Sequence, residues 1–167
     1  ADGLVFVAAG EAIEALRGAD GATAWTVPRV KAAAPLRTAA GIVFAVTDTE
    51  LLAIRAADGQ VAWRHAAGGV RLAPAIDGER VYLGADDGRV LALKLADGSE
   101  AWQYYLPGGI TAIGAHDGRV YAGAGDKFFY CLGARKGSLE WSWHAGALVT
   151  GAIAVDEDRV YFAALNN

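Results

Sequence analysis

Residues 92–102 read Ala92-Leu93-Lys94-Leu95-Ala96-Asp97-Gly98-Ser99-Glu100-Ala101-Trp102. Residues 53–63 read Ala53-Ile54-Arg55-Ala56-Ala57-Asp58-Gly59-Gln60-Val61-Ala62-Trp63. Each stretch is a short apolar run, an Asp-Gly turn and a tryptophan four residues beyond the glycine. The frame recurs at Gly21 and Trp25 and at Gly137 and Trp141, and the four tryptophans fall 38, 39 and 39 residues apart. A period of this length marks one supersecondary unit copied along the chain, the signature of solenoids and propellers.

The frame extends in both directions. Upstream of each apolar run lies a second one after a Gly or Asp-Gly turn: Leu4-Val5-Phe6, Ile42-Val43-Phe44, Arg80-Val81-Tyr82, Arg119-Val120-Tyr121 and, after Asp156-Glu157-Asp158, Arg159-Val160-Tyr161. A weaker run precedes these, at Leu36–Thr38, Leu72–Ile76, Ile110–Ile113 and Val149–Ile153. The tryptophan run alternates: Val27, His65, Tyr104 and Trp143 share the tryptophan face, and Thr26, Arg64, Gln103 and Ser142 take the other. That is a half-buried antiparallel strand. Four short strands per repeat, joined by Gly and Asp turns, predict an all-β propeller of four-stranded antiparallel blades. About four blades are present, as one propeller segment over residues 1–167.

Composition narrows the function. The chain has 167 residues, 54% of them apolar and 20% charged, with net charge −4. Apart from Arg135-Lys136, Lys and Arg occur singly, which argues against nucleic acid, and no apolar run reaches the ~18–20 residues of a membrane helix. No stretch resembles a signal peptide. The absence of Met suggests a processed product or a piece of something longer. The single Cys131 allows no intrachain disulfide, and it takes the small position held by Ala15, Ala53 and Ala92, as a buried, inert thiol would. Asn occurs only at 166 and 167, and Ser only at 99, 138 and 142. His65, His116 and His144 show no metal-ligand spacing. Asp86-Asp87-Gly88 and Asp156-Glu157-Asp158 lack the longer ligand spacing of a calcium loop and read as turns. No metal or cofactor is expected.

The segments 53–63 and 92–102 resemble the tryptophan-docking motif of PQQ-like (quinoprotein-type) β-propellers, A-x-D-x-x-T-G-x-x-x-W. The motif's Asp slot here holds Arg17, Arg55, Lys94 and Gly133, and its Thr slot holds Asp20, Asp58, Asp97 and Lys136. The Asp-Gly form is similar to that of BamB-like lipoproteins, scaffolds of outer-membrane β-barrel assembly. The resemblance implies that Trp25, Trp63, Trp102 and Trp141 dock the outermost strand of each blade on the next. Gly21, Gly59, Gly98 and Gly137 would supply the special backbone angle of the preceding turn. It also places Arg37, Thr38, Arg71, Thr111 and Thr150 on or beside strands that line the central channel.

The chain opens and closes on the same strand of the repeat, at Val5 and Val160, so two strands would compete for one slot if the ends met. The expectation is about half of a seven- or eight-bladed ring, its edges completed by further sequence or by a second copy in a homodimer. A self-closed four-bladed ring is the alternative. For function the resemblance implies a non-enzymatic scaffold or protein-interaction module, periplasmic or extracellular and associated with the outer membrane. A fragment of a PQQ-dependent dehydrogenase and an extracellular ligand-sensing domain of a larger protein remain as alternatives. The dehydrogenase lacks support in its own terms, since no vicinal cysteine pair is present and no Asn precedes the last two positions.

Overall fold

The computed structural model describes residues 3–156 and 159–165. The chain divides into two compact units, Ala1–Ala73 and Pro74–Asn167. In the first, β1 (Leu4–Ala9), β2 (Ala12–Arg17) and β3 (Thr23–Pro28) form a three-stranded antiparallel sheet. Four strands follow in a second sheet, β4 (Arg37–Ala39), β5 (Ile42–Val46), β6 (Glu50–Arg55) and β7 (Val61–Ala66). Ile13, Val30, Val43, Ala45, Leu52, Ile54 and Ala56 form the core between them, with Phe6, Trp25, Val27 and Leu36 packed against it.

The second unit repeats the plan. One sheet holds β8 (Ala75–Asp77), β9 (Arg80–Gly84), β10 (Arg89–Lys94) and β11 (Glu100–Tyr105). The next holds β12 (Ile110–His116), β13 (Arg119–Ala124), β14 (Phe128–Gly133) and β15 (Leu139–His144), and β16 (Leu148–Asp156) pairs with β17 (Arg159–Leu165). Every neighbouring pair is antiparallel and joined in chain order, as short Gly and Asp turns dictate. The two middle strands of each four-stranded sheet are buried almost throughout, whereas β7 and β11 alternate in exposure. Middle strands read as continuous apolar runs, as strands buried on both faces do.

Sheets lie close where glycine removes a side chain. A Cβ on Gly84 would fall 2.5 Å from Cγ2 of Ile110, and one on Gly123 would fall 2.7 Å from Cβ of Val149. These glycines end the second strand of a sheet and receive the first strand of the following one. One expected first strand, at 36–38, starts one residue later than the pattern suggested, and another, at 72–76, is shorter. Pro35 and Pro74 lack the N–H that a ladder needs, so β4 starts at Arg37 and β8 at Ala75. Where no proline intervenes, β12 and β16 run seven and nine residues.

One irregularity recurs in four sheets. The third and fourth strands slip register beside the tryptophan, after Ala15 opposite Trp25, Ala53 opposite Trp63, Ala92 opposite Trp102 and Cys131 opposite Trp141. The residue before each tryptophan is the extra one, so the strand carries a β-bulge there. A small side chain opposite the indole leaves it room to lie across the sheet, which explains why Cys131 stands in a row of alanines.

Candidate functional site

The repeated site is a seat for tryptophan, and the structure builds it twice in full within single units. Trp25 stands on β3, and its Nε1–H donates to the carbonyl oxygen of Ala56 at 2.9 Å, across to the next sheet. Gly59 of the turn between β6 and β7 has φ +75°, and a Cβ there would lie 2.8 Å from Cδ2 of the indole. Trp102 on β11 repeats this, donating to the carbonyl of Ala134 at 2.8 Å, with Gly137 (φ +70°) under the ring. Glycine is required at both positions twice over, by the left-handed backbone and by the ring that covers it. Beneath each indole lies an aromatic residue of the second strand, Phe6 under Trp25 at 5.7 Å and Tyr82 under Trp102 at 5.9 Å between centroids. Trp63 occupies the same place on β7, 5.9 Å from Phe44, and Gly21 and Gly98 share the positive φ of the other two motif glycines.

The turn that holds the glycine explains the departures from the family motif. Asp20, Asp58 and Asp97 each accept the backbone N–H two residues on, from Ala22, Gln60 and Ser99 at 3.0, 3.0 and 2.9 Å. Arg17 and Arg55, in the motif's acidic slot, pair with Asp20 at 3.3 Å and Asp58 at 2.9 Å. The acid stands in the motif's Thr slot and a guanidinium in its Asp slot, and the two pair across the turn. The Asp58 carboxyl is held below its ordinary pKa by the Arg55 guanidinium and then by the Gln60 N–H. Asp20 is lowered by the Ala22 N–H and then by Arg17, and Asp97 by both the hydroxyl and the N–H of Ser99.

Trp141 departs from the docking expectation. It lies over Tyr121 and Phe129, with centroids 6.1 and 6.0 Å away, and remains 41% exposed. Among the described residues its indole N–H has no hydrogen bond. The seats of Trp25 and Trp102 lie 31 and 32 residues further along the chain, and the same offset from Trp141 passes residue 167. Trp143 is also exposed, against Phe162 at 5.9 Å.

Of the five residues expected beside a channel, Arg37, Thr38 and Arg71 belong to the first unit and Thr111 and Thr150 to the second. Arg37 and Thr38 sit on β4, and Arg71 precedes β8 outside any strand, pairing with Asp48 at 3.7 Å. The Thr111 hydroxyl on β12 donates to the Val149 carbonyl at 2.5 Å, and Thr150 is half-buried on β16.

Several other polar groups support the fold. Asp87 accepts the Arg89 N–H at 3.1 Å and pairs with its guanidinium at 2.6 Å. The Tyr130 hydroxyl donates to Asp126 at 2.5 Å, and burial together with that carboxylate pushes its pKa up to about 12. Cys131 is fully buried, and burial, then Glu140, pushes its thiol up to about 12. The His144 ring lies tilted against Phe128, with centroids 4.9 Å apart. Among the described residues no group of three or more His, Cys, Asp or Glu is placed to hold a metal ion. Of the second acidic turn, Glu157 and Asp158 lie outside the described residues.

Antiparallel four-stranded sheets on a fixed repeat, joined by tryptophans that reach the next sheet, define a PQQ-like β-propeller segment. A family model described as outer membrane protein assembly factor BamB matches residues 9–112, more than half of the chain, and the chain belongs to that family. No curated protein matches it in sequence. Among solved structures it is similar to BamB from Moraxella catarrhalis at 19% identity and TM-score 0.83, covering 98% of this chain and 56% of that one. The computationally designed Ika8 protein matches at 20% identity and TM-score 0.86, covering 98% and 53%. A quinohemoprotein alcohol dehydrogenase from Comamonas testosteroni matches at 15% identity and TM-score 0.71, covering 96% and 38%. These likenesses are of fold. The chain spans about half the length of the first two.

Proposed function

We propose that the chain is a non-enzymatic propeller scaffold that binds protein partners outside the cytoplasm, in the periplasm beside the outer membrane. Membership of the BamB family carries this reading. The side chains are consistent with it, because the carboxylates and guanidinia pair within turns and strands instead of converging on one cavity. A rigid β-scaffold offers loops and strand edges to a partner by surface contact or strand addition, and neither requires a reactive group. The test is binding of the purified chain to the β-barrel component of the outer-membrane assembly machinery from the same cell. Saturable binding is expected. A binding heat or absorbance change on adding PQQ and calcium ions would overturn the reading in favour of a dehydrogenase fragment.

A further inference from the structure

Among the described residues one motif tryptophan has no seat, and one seat has no tryptophan. Trp141 is the unseated indole. The vacant seat is the turn between β2 and β3. Gly18, Asp20 and Gly21 stand there where Ala56, Asp58 and Gly59 stand under Trp25. The backbone is built alike, since Gly18 N–H donates to Gly3 at 2.6 Å as Ala56 does to Gly41 and Ala134 to Gly118, each at 2.8 Å. Gly21 has φ +70°, matching Gly137, yet a Cβ on it would meet nothing within 4 Å, whereas Gly59 and Gly137 are covered by an indole. Among the described residues nothing donates to the Gly18 carbonyl, the counterpart of the two carbonyls that receive an indole N–H.

We propose that Trp141 of one copy seats on the Gly18–Gly21 turn of a second copy of this chain, giving a head-to-tail contact. Its Nε1–H donates to the Gly18 carbonyl and its ring covers Gly21. Two further observations fit the same occupant. Tyr161 on β17 stands where Phe6, Phe44, Tyr82 and Tyr121 lie beneath their tryptophans, and it is 50% exposed. Where β17 takes the place of β1 in the joined sheet, Trp25 of the second copy covers it. β1 and β17 are also versions of one strand, Val5-Phe6-Val7-Ala8-Ala9 and Val160-Tyr161-Phe162-Ala163-Ala164. The join therefore takes β16 from one copy and β2 and β3 from the next, with either β1 or β17 between them. Because a head-to-tail contact uses two different patches, a closed assembly satisfies one seat per copy. Two copies are favoured, as each chain spans 56% of BamB and 53% of the designed propeller.

Self-association does not depend on the scaffold role, and either can fail alone. The test is the mass of the purified chain by sedimentation and light scattering from about 1 to 100 µM, a range that spans Kd values of ordinary protein contacts. A reversible dimer is expected. Trp141→Ala and Gly21→Ala, folded by their β-sheet circular dichroism, should each weaken it about 30-fold or more, as loss of a central aromatic anchor does. Mixing the two variants should restore part of the dimer, because Trp141 of the Gly21→Ala copy meets an intact seat on the other. A monomer at every concentration, the result if further sequence or another protein fills the seat, would overturn the proposal. So would a dimer that survives both substitutions.

Discussion

The indole N–H of Trp102 donates to the carbonyl of Ala134 at 2.8 Å, and the guanidinium of Arg80 reaches the same oxygen at 2.5 Å. One carbonyl thus ties the outer strand of one sheet, the second strand of that sheet and the turn of the next. Trp102 is 9% exposed, so its seat is nearly closed to water. Trp102→Ala should cost about 3–5 kcal/mol, the range for emptying a large buried aromatic site. Trp102→Phe should cost less, since Arg80 still satisfies the carbonyl. Trp141→Ala, removing a ring already 41% exposed, should cost the monomer about 1–2 kcal/mol. Urea melts of the three variants below the self-association range give the order, and equal losses for the two alanine variants would contradict it.

Gly21 and Gly137 separate backbone strain from ring contact. Both have φ +70°, but only Gly137 has an indole where a Cβ would go, 2.5 Å from Cε3 of Trp102. Gly21→Ala should cost about 1 kcal/mol for the left-handed backbone. Gly137→Ala should cost at least about twice that, because the ring must move as well. Thermal melts of the monomeric variants make the comparison.

Asp58 predicts an acid-sensitive turn. Its carboxyl is lowered by Arg55 and the Gln60 N–H, so the stabilisation is fully present above the ordinary carboxylate pKa of about 4. It is lost as the pH falls through the lowered value. Asp58→Asn keeps an oxygen for the Gln60 N–H and loses the charge. The urea midpoint of wild type should exceed that of Asp58→Asn at pH 6, and the gap should narrow towards pH 2.5. A gap independent of pH would show that the Arg55 pair contributes nothing.

Cys131 should be silent to thiol reagents in the folded chain. Its pKa moves from 9.0 to about 12 on burial, so at pH 8 almost none of it is thiolate, the reactive form. Labelling by a disulfide reagent should proceed at the rate of unfolding and become rapid in urea. The sign for stability is the reverse of that for Asp58: the folded state loses ground as the pH rises from about 9 towards about 12. Rapid labelling at pH 8 without denaturant would mean that β14 opens locally.

Much of this was written in the sequence. The Gly-to-Trp interval located the fourth strand of each repeat, and Asp-Gly pairs located the turns, because both encode local backbone geometry. The row Ala15, Ala53, Ala92, Cys131 marked a small position, though only the register put it opposite the tryptophan. Arg55 and Asp58 read only as residues in the motif's Asp and Thr slots, and the structure showed that they pair. Arg71 was read on or beside an inner strand, and β8 begins only at Ala75, after Pro74, which lacks the N–H that a ladder needs.

By itself the sequence determined the repeat, the strand order and the family, since these follow from periodicity, turn chemistry and motif spacing along the chain. It could not tell one tryptophan from another, for Trp25, Trp102 and Trp141 sit in the same local frame. Tertiary structure decided which are seated, because a seat is a carbonyl and a bare glycine more than thirty residues away on another sheet. Among the described residues that leaves the Trp141 ring exposed and Gly21 uncovered.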